Sequence, residues 1–208
     1  MPVYTDMGTP SGAIGLLAGA ISYTLGVCAL VEAGDLALPT PCAGWDLSTL
    51  LAHLSDSMAD LETALHTGRL DLERPPARPP AGGDAVEVLR DRAARLLSVS
   101  YRCTVPASRE PFVVVGGLPL TAGLVVCTGA VEIAVHGWDV SAALGGSAPI
   151  PAALATRMLR LGPLLVAGRE GLFAVPVEVP AQASPGDRLV GYLGRHPGVI
   201  PPEMVTDE

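Results

Sequence analysis

Two stretches of this chain carry no charge over lengths that could cross a bilayer, and they limit the folds open to it. Residues Met7 to Val31 read MGTPSGAIGLLAGAISYTLGVCALV, and residues Pro111 to Val131 read PFVVVGGLPLTAGLVVCTGAV. Segments this apolar go either into lipid or into a protein core. The first contains Thr9, Ser11, Ser22, Thr24 and five glycines, and no Lys or Arg flanks it to set an orientation. Asp6 is the only charge ahead of it, so the basic region of a signal peptide is missing as well. The second is broken by Gly116, Gly117 and Pro119 and runs directly into Glu132 and His136. The first reads as a buried helix of a soluble, cytoplasmic protein, and the second as a Gly- and Pro-containing link leading into a further helix, with no membrane partner expected.

A chain of 208 residues is long enough for one sizeable core, or for one domain with a small appendage. Hydrophobic residues reach 49% against 16% charged, which argues against long disordered regions. The net charge is −8, and all 13 basic residues are arginines. No positive stripe is available to neutralise phosphates, so nucleic acid is not an expected partner. A small anionic substrate needs only one or two arginines and stays open. Cys28, Cys42, Cys103 and Cys127 have neither C-x-x-C spacing nor a disulfide-dense pattern, and read as reduced, mostly buried thiols.

Helical periodicity organises most of the chain. Ile14, Leu17, Ile21, Leu25 and Cys28 recur at helical spacing, predicting a first helix from Ser11 to about Glu32, with Gly34 as its stop. LALPTPCAG follows as an extended connection, because Pro39 and Pro41 exclude helix. Asp46 caps a second helix whose stripe runs Leu47, Leu50, Leu51, Leu54, Met58, Leu61, Leu65 and ends at Gly68. Trp45 and Leu50 stand at the positions of a hydrophobic staple. Beyond the proline-rich ERPPARPPAGG, a third helix is expected from Asp84 to about Ser100 and a fourth from about Leu120 to Leu144. A fifth begins at Pro151 and is kinked or shortened by Pro163. A short strand at 173–179 and a short helix at 187–193 complete the tail. The expectation is a mainly all-α chain: a four-helix bundle over residues 1–147, and a helix with a short α/β extension packing on it over 148–208.

The segment VEIAVHGWDV lies inside the fourth helix. Four residues turn a helix through about 400°, so Glu132 and His136 share a face, and Asp139 falls on the same stripe. Such a pair is either a solvated i,i+4 contact or part of a metal or proton-transfer site. His53, in LLAHLSDS of the second helix, offers a third group; alone it reads equally as a hydrogen-bonded boundary histidine. Bundles commonly build metal sites from inward side chains on facing helices. Two imidazoles and one carboxylate suit Zn²⁺ or a similar divalent ion and leave a fourth position open.

His66 projects about 220° away from His53 on the helical wheel and falls outside this group. His196 belongs to a tail loop, Trp45 and Trp138 read as packing residues, and Asp56 and Ser57 line the pocket or lie on the surface. Asp139 and Arg195 are the remaining candidates for a role in catalysis. Asp139 either orients a ligand histidine or ends the helix as a surface charge; Arg195 either clamps a substrate carboxylate or is exposed.

The segments TPCAGWDLSTLLAHL and VEIAVHGWDVSAALG, together with the closing GDRLVGYLGRHP, resemble the mycothiol-dependent maleylpyruvate isomerase-like family of the DinB-like superfamily. The resemblance implies an actinobacterial DinB-like bundle with a divalent metal, usually zinc, on His53, Glu132 and His136. It also implies mycothiol or another low-molecular-weight thiol as cosubstrate, a small-molecule electrophile as the second partner, and a monomer or homodimer. The expected activity is thiol chemistry: thiol-assisted isomerisation, S-transfer or conjugation. The same three ligands would serve a non-catalytic regulatory module or a metal-water hydrolase, and spacing does not separate these.

Overall fold

The computed structural model describes residues 10–70, 85–104, 111–146, 148–162 and 174–197. Four long helices form the body: α1 (Pro10–Cys28), α2 (Leu47–Thr67), α3 (Ala85–Thr104) and α4 (Ala122–Ala143). α1 packs along α4, α4 against α2, α2 against α3, and α3 back against α1, closing a four-membered ring. α1 and α2, consecutive in sequence, therefore sit diagonally, and the chain between them is long enough to make that crossing. It includes a 3-10 helix at Ala33–Ala37, so α1 ends at Cys28, short of the expected Glu32, and Gly34 lies within the 3-10 turn. By length and composition α1 and α4 are both candidate membrane spans, yet 50% and 67% of those windows are buried inside the bundle.

The second helix begins and ends as its sequence predicts. Asp46 accepts a hydrogen bond from the Thr49 amide at 2.8 Å, and Gly68 closes the helix at φ 71°, a left-handed conformation that glycine adopts without a Cβ penalty. Every residue of the predicted leucine and methionine stripe is buried.

The PFVVVGGLPLT segment, expected as a Gly- and Pro-containing link, carries strands that the sequence reading did not include. It forms a hairpin, β2 (Phe112–Val115) and β3 (Leu118–Thr121), and β1 (Arg69–Leu70) adds parallel to β2. Gly116 and Gly117 turn the hairpin with φ of 54° and 84°, as a two-residue loop matched to strand twist requires. Thr121 ends β3 and caps α4 through its hydroxyl, which accepts from the Leu124 amide at 3.3 Å, so the hairpin sets where α4 starts.

Beyond the bundle come α5 (Ala152–Leu159) and α6 (Pro185–Tyr192), which pack on each other. α5 also touches α1, where Arg157 donates to the Gly12 carbonyl at 2.8 Å. The expected kink at Pro163 lies outside the described residues. The strand expected at 173–179 is absent among the described residues; the Val177 amide donates to the Gly191 carbonyl at 2.9 Å, but no ladder forms.

α1 and α4 approach unusually closely. A Cβ on Gly137 would stand 3.1 Å from the Thr24 Cα and would overlap the Thr24 hydroxyl, while that hydroxyl donates to the Ile133 carbonyl at 2.8 Å. Gly137→Ala is therefore expected to cost about 1–3 kcal/mol despite alanine's better helix propensity. Urea unfolding measures this; a variant as stable as the parent would show that the helices can part freely here.

Candidate metal centre

The site forms where α2 faces α4. The apolar stripe of α2 is buried, which sets His53 and Ser57 at the edge of the interface, one turn apart. Across from them α4 presents Glu132 and His136, also one turn apart and both partly buried. His53 Nε2 lies 3.3 Å from Glu132 Oε1, and the His53 and His136 rings meet edge to face with centroids 4.9 Å apart. One donor atom from each of His53, Glu132 and His136 lies within 4.8 Å of the other two. Ligands at zinc distances span tetrahedral edges of about 3.4 Å, a length the His53–Glu132 edge already has. The donor set and its spacing thus fit a divalent ion of zinc type.

Ser57 donates to Glu132 Oε1 at 2.7 Å and lies 3.4 Å from His53 Nε2. Of the two readings left open for Ser57, the structure takes the site. Burial pushes the Glu132 carboxyl up, but the His53 and Ser57 hydrogen bonds and the nearby imidazoles outweigh it and hold the group below its ordinary value. It is an anion at neutral pH, the form a metal ligand needs.

Asp139 is wholly buried, one turn below His136, and accepts from His136 Nδ1 at 2.9 Å. It is not a helix-end surface charge. With Nδ1 engaged, Nε2 is the ring nitrogen left for a ligand. Arg195 reaches Asp139 with both arms of its guanidinium, Nη2 to Oδ2 at 2.8 Å and Nε to Oδ1 at 3.2 Å. Its side chain is only 14% exposed, which corrects both readings made from sequence: it is neither a surface arginine nor free to clamp a substrate carboxylate. Burial opposes the charge on each partner, yet their contact wins, keeping Asp139 below the usual carboxylate range and Arg195 protonated.

Cys42 belongs to the same constellation, which its sequence context did not reveal. Its thiol donates to Asp139 Oδ2 at 3.4 Å and lies 3.9 Å from His136 Nδ1. The turn that carries it is tied by Thr40, whose hydroxyl accepts from the Cys42 amide at 3.2 Å and donates to the Trp45 carbonyl at 2.9 Å. Burial, with the Asp139 charge beside it, pushes the Cys42 thiol up to about 12, so at neutral pH it is a hydrogen-bond donor and no nucleophile. Trp45, expected only to pack, lays its ring over the histidines, 4.8 Å from His53 and 6.5 Å from His136 by centroids. His66 and His196 are exposed, and neither joins the cluster of possible ligands. The position of Cys42 between two prolines and Trp45 held no spacing signal, because its partners lie 94 and 97 residues along the chain.

The helical bundle agrees with what the sequence matches. Residues 17–141 match the mycothiol maleylpyruvate isomerase N-terminal domain, and the chain belongs to that family. An uncharacterized protein of Mycobacterium tuberculosis, matched in two strains, is 27% identical over 177 residues, covering 79% of this chain and 87% of its own. Among solved structures, the mycothiol-dependent maleylpyruvate isomerase is similar with a TM-score of 0.52, and its histidine-to-alanine mutant with 0.56. Each match covers 72% of this chain and 67% of the other at 19% identity, a likeness of fold.

Proposed function

We propose that this chain is a divalent-metal enzyme of thiol chemistry. It holds one ion, zinc by the character of the donors, on His53, Glu132 and His136. It brings a low-molecular-weight thiol, mycothiol by family membership, to a small electrophile in the cytoplasm. The observation that carries the reading is the convergence of two imidazoles and one ionised carboxylate from two helices, with Asp139 leaving His136 Nε2 as the donor. When bound there, a zinc ion supplies a net positive charge of about one and an open position for an anionic sulfur.

The chain's own residues do the rest. Ser57 holds one oxygen of Glu132, fixing the carboxylate's rotation. Trp45 walls one side with an apolar ring and limits water there. Cys42 stays protonated and leaves the nucleophile's part to the incoming thiol. A thiolate that adds to a conjugated double bond gives an enolate; expelled after rotation it yields the isomer, and retained, with the enolate taking up the thiol's proton at carbon, it yields the conjugate.

Calorimetry with mycothiol in buffers of different ionisation enthalpy tests this. Binding is expected only to the metal-loaded protein, with release of about one proton, and it should persist in Cys42→Ser. Equal affinity for metal-free and metal-loaded protein would remove the thiol mechanism and favour a non-catalytic module. The same reading makes the protein soluble, because α1 and α4 pack along each other inside the bundle. Purification without detergent should yield a discrete helical species, whereas recovery only from detergent-extracted membranes would contradict it.

A further inference from the structure

The buried carboxylate of Asp139 has no solvent side, so its orientation is set by its protein partners. His136 Nδ1 takes one oxygen at 2.9 Å, and the Arg195 fork takes both, at 2.8 and 3.2 Å. Arg195 is itself held. Its Nη1 donates to the Leu193 carbonyl at 3.0 Å, and its amide donates to the Val190 carbonyl at 2.9 Å. Gly194, at φ 83°, makes the turn that brings it back under α4. The guanidinium therefore hangs from the closed end of α6, outside the matched residues 17–141, and reaches into the bundle.

We propose that Arg195 is a positioning residue for the metal centre: acting through Asp139, it fixes the His136 ring and its Nδ1–H tautomer, so that Nε2 faces His53 and Glu132. A carboxylate held on both oxygens by a planar fork cannot rotate, and a fixed acceptor at 2.9 Å keeps the imidazole proton on Nδ1. Without the fork, Asp139 would keep only His136 and the weak Cys42 donor, and both ring orientation and tautomer would become mixed. Lysine offers a point charge and no second arm, so it should restore this only in part.

The metal half of this inference rests on the reading above; the tautomer half does not. Long-range ¹H–¹⁵N correlation on the metal-free protein, above the pH where histidine titrates, reports the tautomer of His136, assigned by its loss in His136→Asn. Co²⁺ titration reports affinity and the shape of the visible absorption band. In Arg195→Ala the tautomer should become mixed and Co²⁺ affinity should fall about tenfold, with a smaller loss in Arg195→Lys. Arg157→Ala, which also unties the C-terminal region from the bundle, should leave the tautomer and the cobalt spectrum as in the parent. The proposal is overturned if folded Arg195→Ala keeps the parental tautomer, or keeps Co²⁺ affinity within twofold of a parent that binds it. If the alanine variant does not fold, Arg195→Lys decides by the same two readings. A parent that binds no Co²⁺ sinks the functional reading, and the tautomer measurement then decides the proposal alone.

Discussion

His136→Ala is expected to abolish stoichiometric metal. An outer-shell partner typically contributes about 10–100-fold in affinity, and losing one of three direct donors should exceed that. His53→Ala should behave alike, and Glu132→Gln nearly so, because the amide loses the negative charge that balances a divalent ion. All three side chains are only partly buried, and alanine favours helix, so helical content should hold. His66→Ala, at the exposed end of α2, is the matched control and should change nothing. Metal per chain after reloading and dialysis, together with circular dichroism, reads both effects. Full metal retention in the His53 and His136 variants would reject the site.

Asp139→Ala should be among the most destabilising single changes in the molecule. It leaves the Arg195 guanidinium, 14% exposed, with no carboxylate, and breaking a buried pair from one side costs about 3–5 kcal/mol. Asp139→Asn keeps the shape and two hydrogen-bonding atoms and should cost less. The pH dependence follows from the direction of the shift. Asp139 is held below its ordinary value by His136 and Arg195, so its stabilisation is complete above the unfolded value of about 3.9. It is lost as pH falls through the depressed folded value. In urea unfolding, the gap between parent and Asp139→Asn should therefore be constant near neutrality and shrink in acid; a gap that widened in acid would contradict the assignment.

The helices, and His53, Glu132 and His136 as candidate metal ligands, could be picked out because their signals are local. The Asp46 cap, the α2 leucine stripe and the Glu132–His136 spacing each need only a turn or two of chain. The hairpin was also legible in principle: FVVV and LPLT flank a Gly-Gly pair, a strand–turn–strand signature overshadowed by the uncharged run that contains it. Arg195 and Cys42 were another matter. They meet Asp139 across 56 and 97 residues, and nothing near either residue in sequence announces the partner. Arginine is usually exposed, so a general rule pointed away from Arg195, whose burial is matched by a specific fork.

Thr24 also shapes the site from a distance. Two smooth apolar helices carry little information about how far one should slide along the other, and α1 and α4 are nearly free of charge on their shared face. A slip of one turn, about 5.4 Å, would keep much of the grease covered. It would also strand the Thr24 hydroxyl away from the Ile133 carbonyl, at about 1–3 kcal/mol, and move the close backbone approach off Gly137 onto a residue with a side chain. One hydroxyl and one missing methyl thus act as a latch on the axial setting of α4. The latch sits beside His136, so the height at which that ring meets His53 is decided on the neighbouring face of the helix.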